Sequence, residues 1–498
     1  MQFNSVDFLI FFPAVIAVYF VIPAKIRMYW LLAASYYFYM SWNAKYAVLI
    51  GGSTVVTYLS ALLFVKLNGT KTAETKKKAV MVLCIIINLG ILALFKYGNF
   101  AIESLNKVLG ILHIGVVERR FDFLLPVGIS FYTFQALGYM IDVYRGDVEA
   151  EKNFFRYALF VSFFPQLVAG PIERSKNLLG QMRDIEKKKL WDLNAISSGA
   201  ILMVWGLFMK MVIADRASIL VDTVFDNYRM YGSTELITAI VFFALQIYCD
   251  FASYSTIATG AARIMGFSLM ENFNAPYLAT SIRDFWSRWH ISLSTWFRDY
   301  LYIPLGGNRK GRLRKALNTM IVFLVSGLWH GANWTFVFWG GLHGLYQVIG
   351  DLTKEIRGRI AARLNVNTEC FSHRLLRTLV TFVLVSFAWI FFRANTITEA
   401  FSIIARIITK PTPWVLFNDG LYKLGLARPE MNILIVGVVI LFLVDLIRVI
   451  KKQTLDSFLL TQNLWFEWAV VIGLIVMIFI FGEYGPQFDA KQFIYFQF

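Results

Sequence analysis

The chain has 498 residues, of which 58% are hydrophobic and only 16% charged, with a formal net charge of +16. Water-soluble domains carry about 25% charged residues, so this composition excludes an ordinary soluble globule and predicts an all-α polytopic membrane protein. The positive charge sits in short clusters between apolar runs, at 66–78, 174–189, 309–315, 354–377 and 448–452. Cytoplasmic loops show that pattern, and with no aromatic-and-basic recognition module beside it a nucleic-acid partner is not expected.

The first apolar run covers 8–22. Asp7 stands ahead of it with no Lys or Arg before it, so a retained first span is expected instead of a cleaved signal peptide. Lys25 and Arg27 follow, which argues for an outside N-terminus. Further crossings are predicted at 29–43, 46–65, 79–95, 124–144, 193–214, 236–262, 379–392, 433–446 and 465–481, making about ten. With this parity each basic cluster lies inside and the C-terminus outside.

Two apolar segments need not cross. Residues 154–172 are broken by Pro165 and by Gly170-Pro171, and non-helical backbone at membrane depth survives only against protein or a water-filled cavity. Between 283 and 307, Trp286, Trp289, His290, Leu293, Trp296, Phe297 and Tyr300 recur at helical spacing. That predicts an amphipathic helix lying at the membrane interface. The second non-crossing segment follows. From Ala316 to Gly350 no side chain is charged, yet two full crossings need roughly 40 residues. A short hairpin is expected, with Trp329-His330-Gly331-Ala332-Asn333-Trp334 near its tip.

A histidine at membrane depth is a functional-site hypothesis by default. Burial favours the neutral ring, which is the form a general base for an oxygen nucleophile requires. His330 is therefore the leading catalytic candidate. His290 shares the aromatic face of the predicted interfacial helix, where a structural hydrogen bond to a neighbouring carbonyl competes with a functional role. Asn333 is a further candidate for orienting the ring or a substrate carbonyl. His343 reads as a packing or hydrogen-bonding residue, and His113 and His373 as incidental loop residues. Intramembrane Asp142 and Asp250 read as structural groups that need a partner such as Arg263 or Arg283. Cys84, Cys249 and Cys370 lack disulfide or metal-ligand spacing, and no metal site is expected. Gly-x-Ser-x-Gly, Walker A and His-Glu-x-x-His motifs are missing from the sequence.

The chain closes on Phe493-Ile494-Tyr495-Phe496-Gln497-Phe498. By composition alone these rings read as an interfacial aromatic belt.

Taken in order, Pro165-Gln166-Leu167-Val168-Ala169-Gly170-Pro171-Ile172, the segment 285–307 with His290, the segment 326–333 with His330, and Phe391-Phe392-Arg393-Ala394 resemble the bacterial membrane-bound O-acyltransferase (MBOAT) family. The branch is the one containing the alginate and peptidoglycan O-acetylation membrane proteins. The resemblance covers nearly the whole chain as one membrane domain over 1–498, with an extracytoplasmic tail motif over 483–498. It implies an MBOAT-like ring of about 10–12 transmembrane helices with re-entrant hairpins around a central tunnel. It also implies His330 as the catalytic histidine and His290 as a second functional position. Acetyl-CoA is the implied donor, and the acceptor is a cell-envelope polysaccharide, reached through an extracytoplasmic SGNH-type acetyltransferase. The setting is the bacterial cytoplasmic membrane, with membrane lipid around the protein. The tail is similar to the C-terminal motif of a small protein of the teichoic-acid D-alanylation pathway, which implies Tyr495 as acyl acceptor. D-alanyl transfer from a carrier protein, lipid acylation and non-enzymatic transport are the rival readings.

Overall fold

The structure, a computed structural model, describes residues 1–69, 72–113, 115–118, 121 and 125–484. Among these residues every regular element is helical. Seven helices are long and apolar enough to cross a membrane: Ala44–Leu67, Ala73–Ile111, Leu193–Asp226, Ser233–Ile264, Phe371–Arg393, Arg428–Lys451 and Leu464–Phe481. Their outward faces are apolar, as at Leu83, Ile86, Phe479 and Ile480, each more than half exposed. Exposed apolar surface on that scale needs lipid to cover it. The protein is a multi-pass membrane protein.

Three of the predicted crossings fall on shorter helices. Val6–Val21 has 16 residues, Arg27–Met40 has 14 and Ile129–Arg145 has 17. The last is buried along most of its length, between Gly128 and Gly146 in left-handed backbone at φ 75° and 79°. A helix shielded by protein does not have to match the bilayer. In the other direction, Ala73–Ile111 runs 39 residues where 79–95 was predicted. Lys and Glu are good helix formers, so the charged flanks extended the helix to about 58 Å.

The chain forms two compact units. One comprises 1–203 and 257–270, the other 204–256 and 271–498. In the first, Phe154–Ser162 is a nine-residue helix. The broken segment after it is held by Gln166, whose Nε2 donates to Gln135 Oε1 and to the Phe160 carbonyl, each at 3.1 Å. Asp142 accepts from Ser175 Oγ at 2.8 Å. Gln166 Nε2 and Asp142 thus find partners on neighbouring elements, as desolvation demands.

In the second unit, Lys210 lies 2.6 Å from Asp250 and 2.8 Å from Asp215, all three buried. Lys210 thus answers both carboxylates. Lys210 sits in a π-helical segment, Met209–Ala214, that interrupts the long helix.

The hairpin of this unit has arms Gly311–His330 and Trp334–Leu352, of 20 and 19 residues. At 1.5 Å per residue each arm is about 30 Å long. Counting only uncharged positions had missed the end turns, where Arg312, Arg314, Lys315 and Asp351 belong to the arms. Glycines bring the arms together. A Cβ at Gly327 would lie 2.2 Å from the Phe336 carbonyl oxygen, and one at Gly340 would lie 2.2 Å from that of Phe323. Gly344, whose Cβ would meet the Met320 side chain at 2.8 Å, gives the second arm with Gly340 the small-xxx-small spacing of close helix pairs in membranes. Gly327→Ala is expected to destabilise the protein by about 1–3 kcal/mol, because the clash is with backbone that cannot rotate away. A lowered thermal midpoint, read by tryptophan fluorescence in detergent, is the expected result; an unchanged midpoint would mean that the arms separate freely.

Candidate functional site

His330 is the last residue of the first arm, and Gly331 leaves it in extended backbone at φ −160°. Its side chain is buried. Trp329, Trp339 and Phe392 surround the imidazole at ring-centroid distances of 5.1, 5.0 and 5.6 Å. Asn333 then starts the second arm. Its Oδ1 accepts from the Thr335 amide at 3.1 Å, and its Nδ2 donates to the Asn395 carbonyl at 3.0 Å. These bonds make Asn333 the helix cap that sets the angle of the turn, close in sequence to His330 but engaged with backbone.

The aromatic segment differs from its prediction. It is two short helices, Ile282–Arg288 and Ile291–Phe297, separated at His290, whose φ of 44° is left-handed. The break has a visible cause. The strip 272–274 runs alongside, with Asn274 N donating to the Arg288 carbonyl and Ile291 N to the Asn272 carbonyl, both at 2.9 Å. Asn272 Oδ1 also accepts from Ser292 N at 3.3 Å and Ser292 Oγ at 2.9 Å, so a distant residue caps the second helix. Nor does this segment present its rings to the membrane interface. Trp286, Trp289, His290, Trp296 and Phe297 are all buried, because the break turns both helices into the unit.

Asn272 also decides the state of His290. Nδ1 of His290 lies 3.1 Å from Asn272 Oδ1. A carbonyl oxygen only accepts, so Nδ1 carries the proton and Nε2 presents its lone pair. Asn272 is held in turn by Ser255, 3.0 Å from its Nδ2. Outside the seven spans, burial pushes His290 down to about 3. A neutral His290 is an acceptor that can orient a hydroxyl and is a poor store for a proton.

The two histidines come together. Their ring centroids are 6.4 Å apart, with Trp329 5.9 Å from His290. His343 lies further along the second arm, where its Nδ1 accepts from Trp286 Nε1 at 3.2 Å. Tyr495 and the segment 493–498 lie outside the described residues. Just before them, Glu483 pairs with Arg216 at 2.7 Å and donates its amide to the Met211 carbonyl at 3.0 Å. Among the described residues no group of His, Cys, Asp and Glu is arranged to hold a metal ion.

Residues 149–392, which contain both histidines, match the model of the membrane-bound O-acyltransferase family. Relatives extend the match. The probable alginate O-acetylase AlgI of Pseudomonas aeruginosa is 36% identical over 444 residues, covering 89% of this chain and 80% of its own length. The chain belongs to the membrane-bound O-acyltransferase family. The peptidoglycan O-acetyltransferase of Helicobacter pylori is 33% identical, covering 82% of this chain and 80% of its own. The teichoic acid D-alanyltransferase of Streptococcus thermophilus is 29% identical over a smaller part, 45% of this chain.

This O-acyltransferase thus carries a buried histidine pair with one ring held in a single tautomer by Asn272. Sequence reasoning missed Asn272. The only sign was a pair of asparagines, Asn272 and Asn274, beside a Pro in an otherwise apolar stretch.

Proposed function

We propose that this O-acyltransferase passes an acetyl group from acetyl-CoA on the cytoplasmic side to the O-acetylation of a cell-envelope polysaccharide outside the bacterial cytoplasmic membrane. The observation that carries the reading is His330, buried at the turn of the hairpin with His290 beside it. The names of the relatives, alginate O-acetylase and peptidoglycan O-acetyltransferase, support a polysaccharide as the final acceptor.

In the proposed step His330 takes the proton from the Tyr495 hydroxyl as its oxygen attacks the acetyl carbonyl. A C–O bond forms and the C–S bond breaks. The departing thiolate takes the proton back from the imidazolium, so His330 ends neutral. The hydroxyl's one proton goes to His330, so His290 Nε2 is left to accept a hydrogen bond from an N–H of the donor and orient it. Asn333 acts by shaping the turn that carries His330. The acetyl tyrosine then delivers its group to an SGNH-type acetyltransferase or to the polysaccharide itself.

The test incubates purified protein with acetyl-labelled CoA and maps the label by peptide mass spectrometry. Label on Tyr495 that is lost in Tyr495→Phe is expected. Label on another residue would discard the tail step. Folded protein that neither takes label nor releases CoA would discard acetyl-CoA as donor.

A further inference from the structure

Three bonds fix the chain where it leaves the last span. The helix Leu464–Phe481 ends at Gly482 in extended backbone. Glu483 then donates its amide to the Met211 carbonyl at 3.0 Å and pairs its side chain with Arg216 at 2.7 Å. Tyr484 donates its hydroxyl back to the Phe479 carbonyl. Arg216 is only 4% exposed, and among the described residues Glu483 is the one acid paired with it. Its Nε and Nη1 meet no acceptor among those residues. A buried cation with a single carboxylate holds that carboxylate firmly, because losing it strands the charge.

The surface that receives Glu483 is connected to the histidine pair. Met211 lies in the π-helical segment Met209–Ala214, and widened turns of this kind are frequent at functional sites. The helix Asp215–Asp226 follows directly. Its first residue, Asp215, is held by Lys210 at 2.8 Å, and its second is Arg216. Further along, Asp222 and Asp226 accept from Arg393 Nη2 at 2.7 and 3.1 Å. Phe392, beside Arg393, packs on the His330 ring at 5.6 Å. From Arg216 to Asp222 the helix rises about 9 Å. One helix therefore takes the start of the tail near its first turn and the end of the helix that touches His330 on the turns after it.

Tyr495 stands twelve residues beyond Glu483, and a chain of that length reaches at most about 40 Å. Where such a segment starts decides the effective concentration of its far end at a target. We propose that the Glu483–Arg216 pair is a tether, which fixes the starting point of the tail so that the Tyr495 hydroxyl is delivered to His330. Glu483 and Arg216 are then positioning residues for the acceptor. The role rests on the reading of Tyr495 as acyl acceptor and adds to it the contact that sets the reach of the tail. It agrees with the predicted parity, which puts the ends of 193–214 and 465–481 on the same outer side.

The test follows single-turnover labelling of Tyr495 from acetyl-labelled CoA in the full chain. Glu483→Gln keeps the backbone hydrogen bond to Met211 and removes the charge. It is expected to slow labelling of Tyr495 about tenfold or more, since a small misplacement of a reacting group costs up to about 10²-fold. KM for acetyl-CoA and the thermal midpoint should not move. Should the stranded Arg216 lower the midpoint, Arg216→Met with Glu483→Gln removes the buried cation and takes the place of the single variant. A free peptide with the sequence of 493–498 separates delivery from chemistry. Tyr495→Phe, with or without Glu483→Gln, should acetylate this peptide at the same rate, because a free peptide has no tether to lose. Labelling of Tyr495 within about twofold of wild type in both Glu483 variants would overturn the tether. So would slower acetylation of the free peptide once Glu483 is changed, which would make the pair a support of the site itself. Wild-type protein that takes no label on Tyr495 refutes the acceptor reading; labelled wild type with indifferent Glu483 variants refutes only the tether.

Discussion

Replacing His330 with alanine is expected to lower acetyl transfer by about 10²–10⁴-fold, the range for losing a general base. The ring is buried at a helix end, where its approach to an oxygen nucleophile is set by Gly331 and by the Asn333 cap. Among the described residues around it, His290 is a poor substitute. His290 sits 6.4 Å away with its Nδ1 held by Asn272, and burial pushes it down to about 3. Because the role proposed for His330 is proton transfer and not donor binding, the loss should fall on kcat and leave KM for the donor within about twofold. His330→Gln preserves most of the side-chain volume and separates chemistry from packing against Trp329, Trp339 and Phe392. Should either variant keep more than a tenth of wild-type transfer, with its thermal midpoint unchanged, the base lies elsewhere.

The second large effect concerns folding. Lys210→Met takes the Lys210 ammonium away from buried Asp215 and Asp250. Removing one partner of a buried ion pair typically costs about 3–5 kcal/mol, a large part of the net stability of a folded domain. The expected result is loss of the monodisperse peak in fluorescence-detected size exclusion, or a much lower thermal midpoint. Adding Asp215→Asn and Asp250→Asn to Lys210→Met removes the stranded charges and should restore much of the folded protein. Failure of that triple variant to recover, while Lys210→Met alone is lost, would show that Lys210 acts through its stem and not through its charge. A single variant that folds normally would show that water reaches the carboxylates.

Both expectations depend on pairings at very different sequence distances, and that difference separates what was readable in the chain from what was not. The position of His330 at the hairpin turn was readable because its signal is local: one titratable ring in a charge-free run, flanked by Trp, Gly and Asn. The hairpin was readable for the same reason, although its arms proved longer, since helix propensity carries charged residues that a count of uncharged positions stops at. The Lys210 contact of Asp250 was not readable, because Lys210 precedes it by 40 residues and sits in a π-helical segment. No periodicity reports such a segment. The predicted interfacial helix failed for a related reason. Its 3–4 spacing is real, but Asn272 intervenes from outside, takes the Ile291 amide and caps the second half.

The sequence by itself determined the membrane setting, the helical class, the hairpin and the residue at its turn. Each follows from composition or from a pattern within one segment, where hydrophobic burial and charge exclusion act on neighbours in the chain. Only the tertiary structure decided that His290 is a left-handed hinge with its proton on Nδ1, that Asn272 puts it there, and that Lys210 answers two carboxylates. It also decided that Arg283, Lys354, Arg357 and Arg377, from three segments, line one cavity. Those outcomes are settled by hydrogen bonds and ion pairs between distant segments, which satisfy buried polar groups only after the helices have come together.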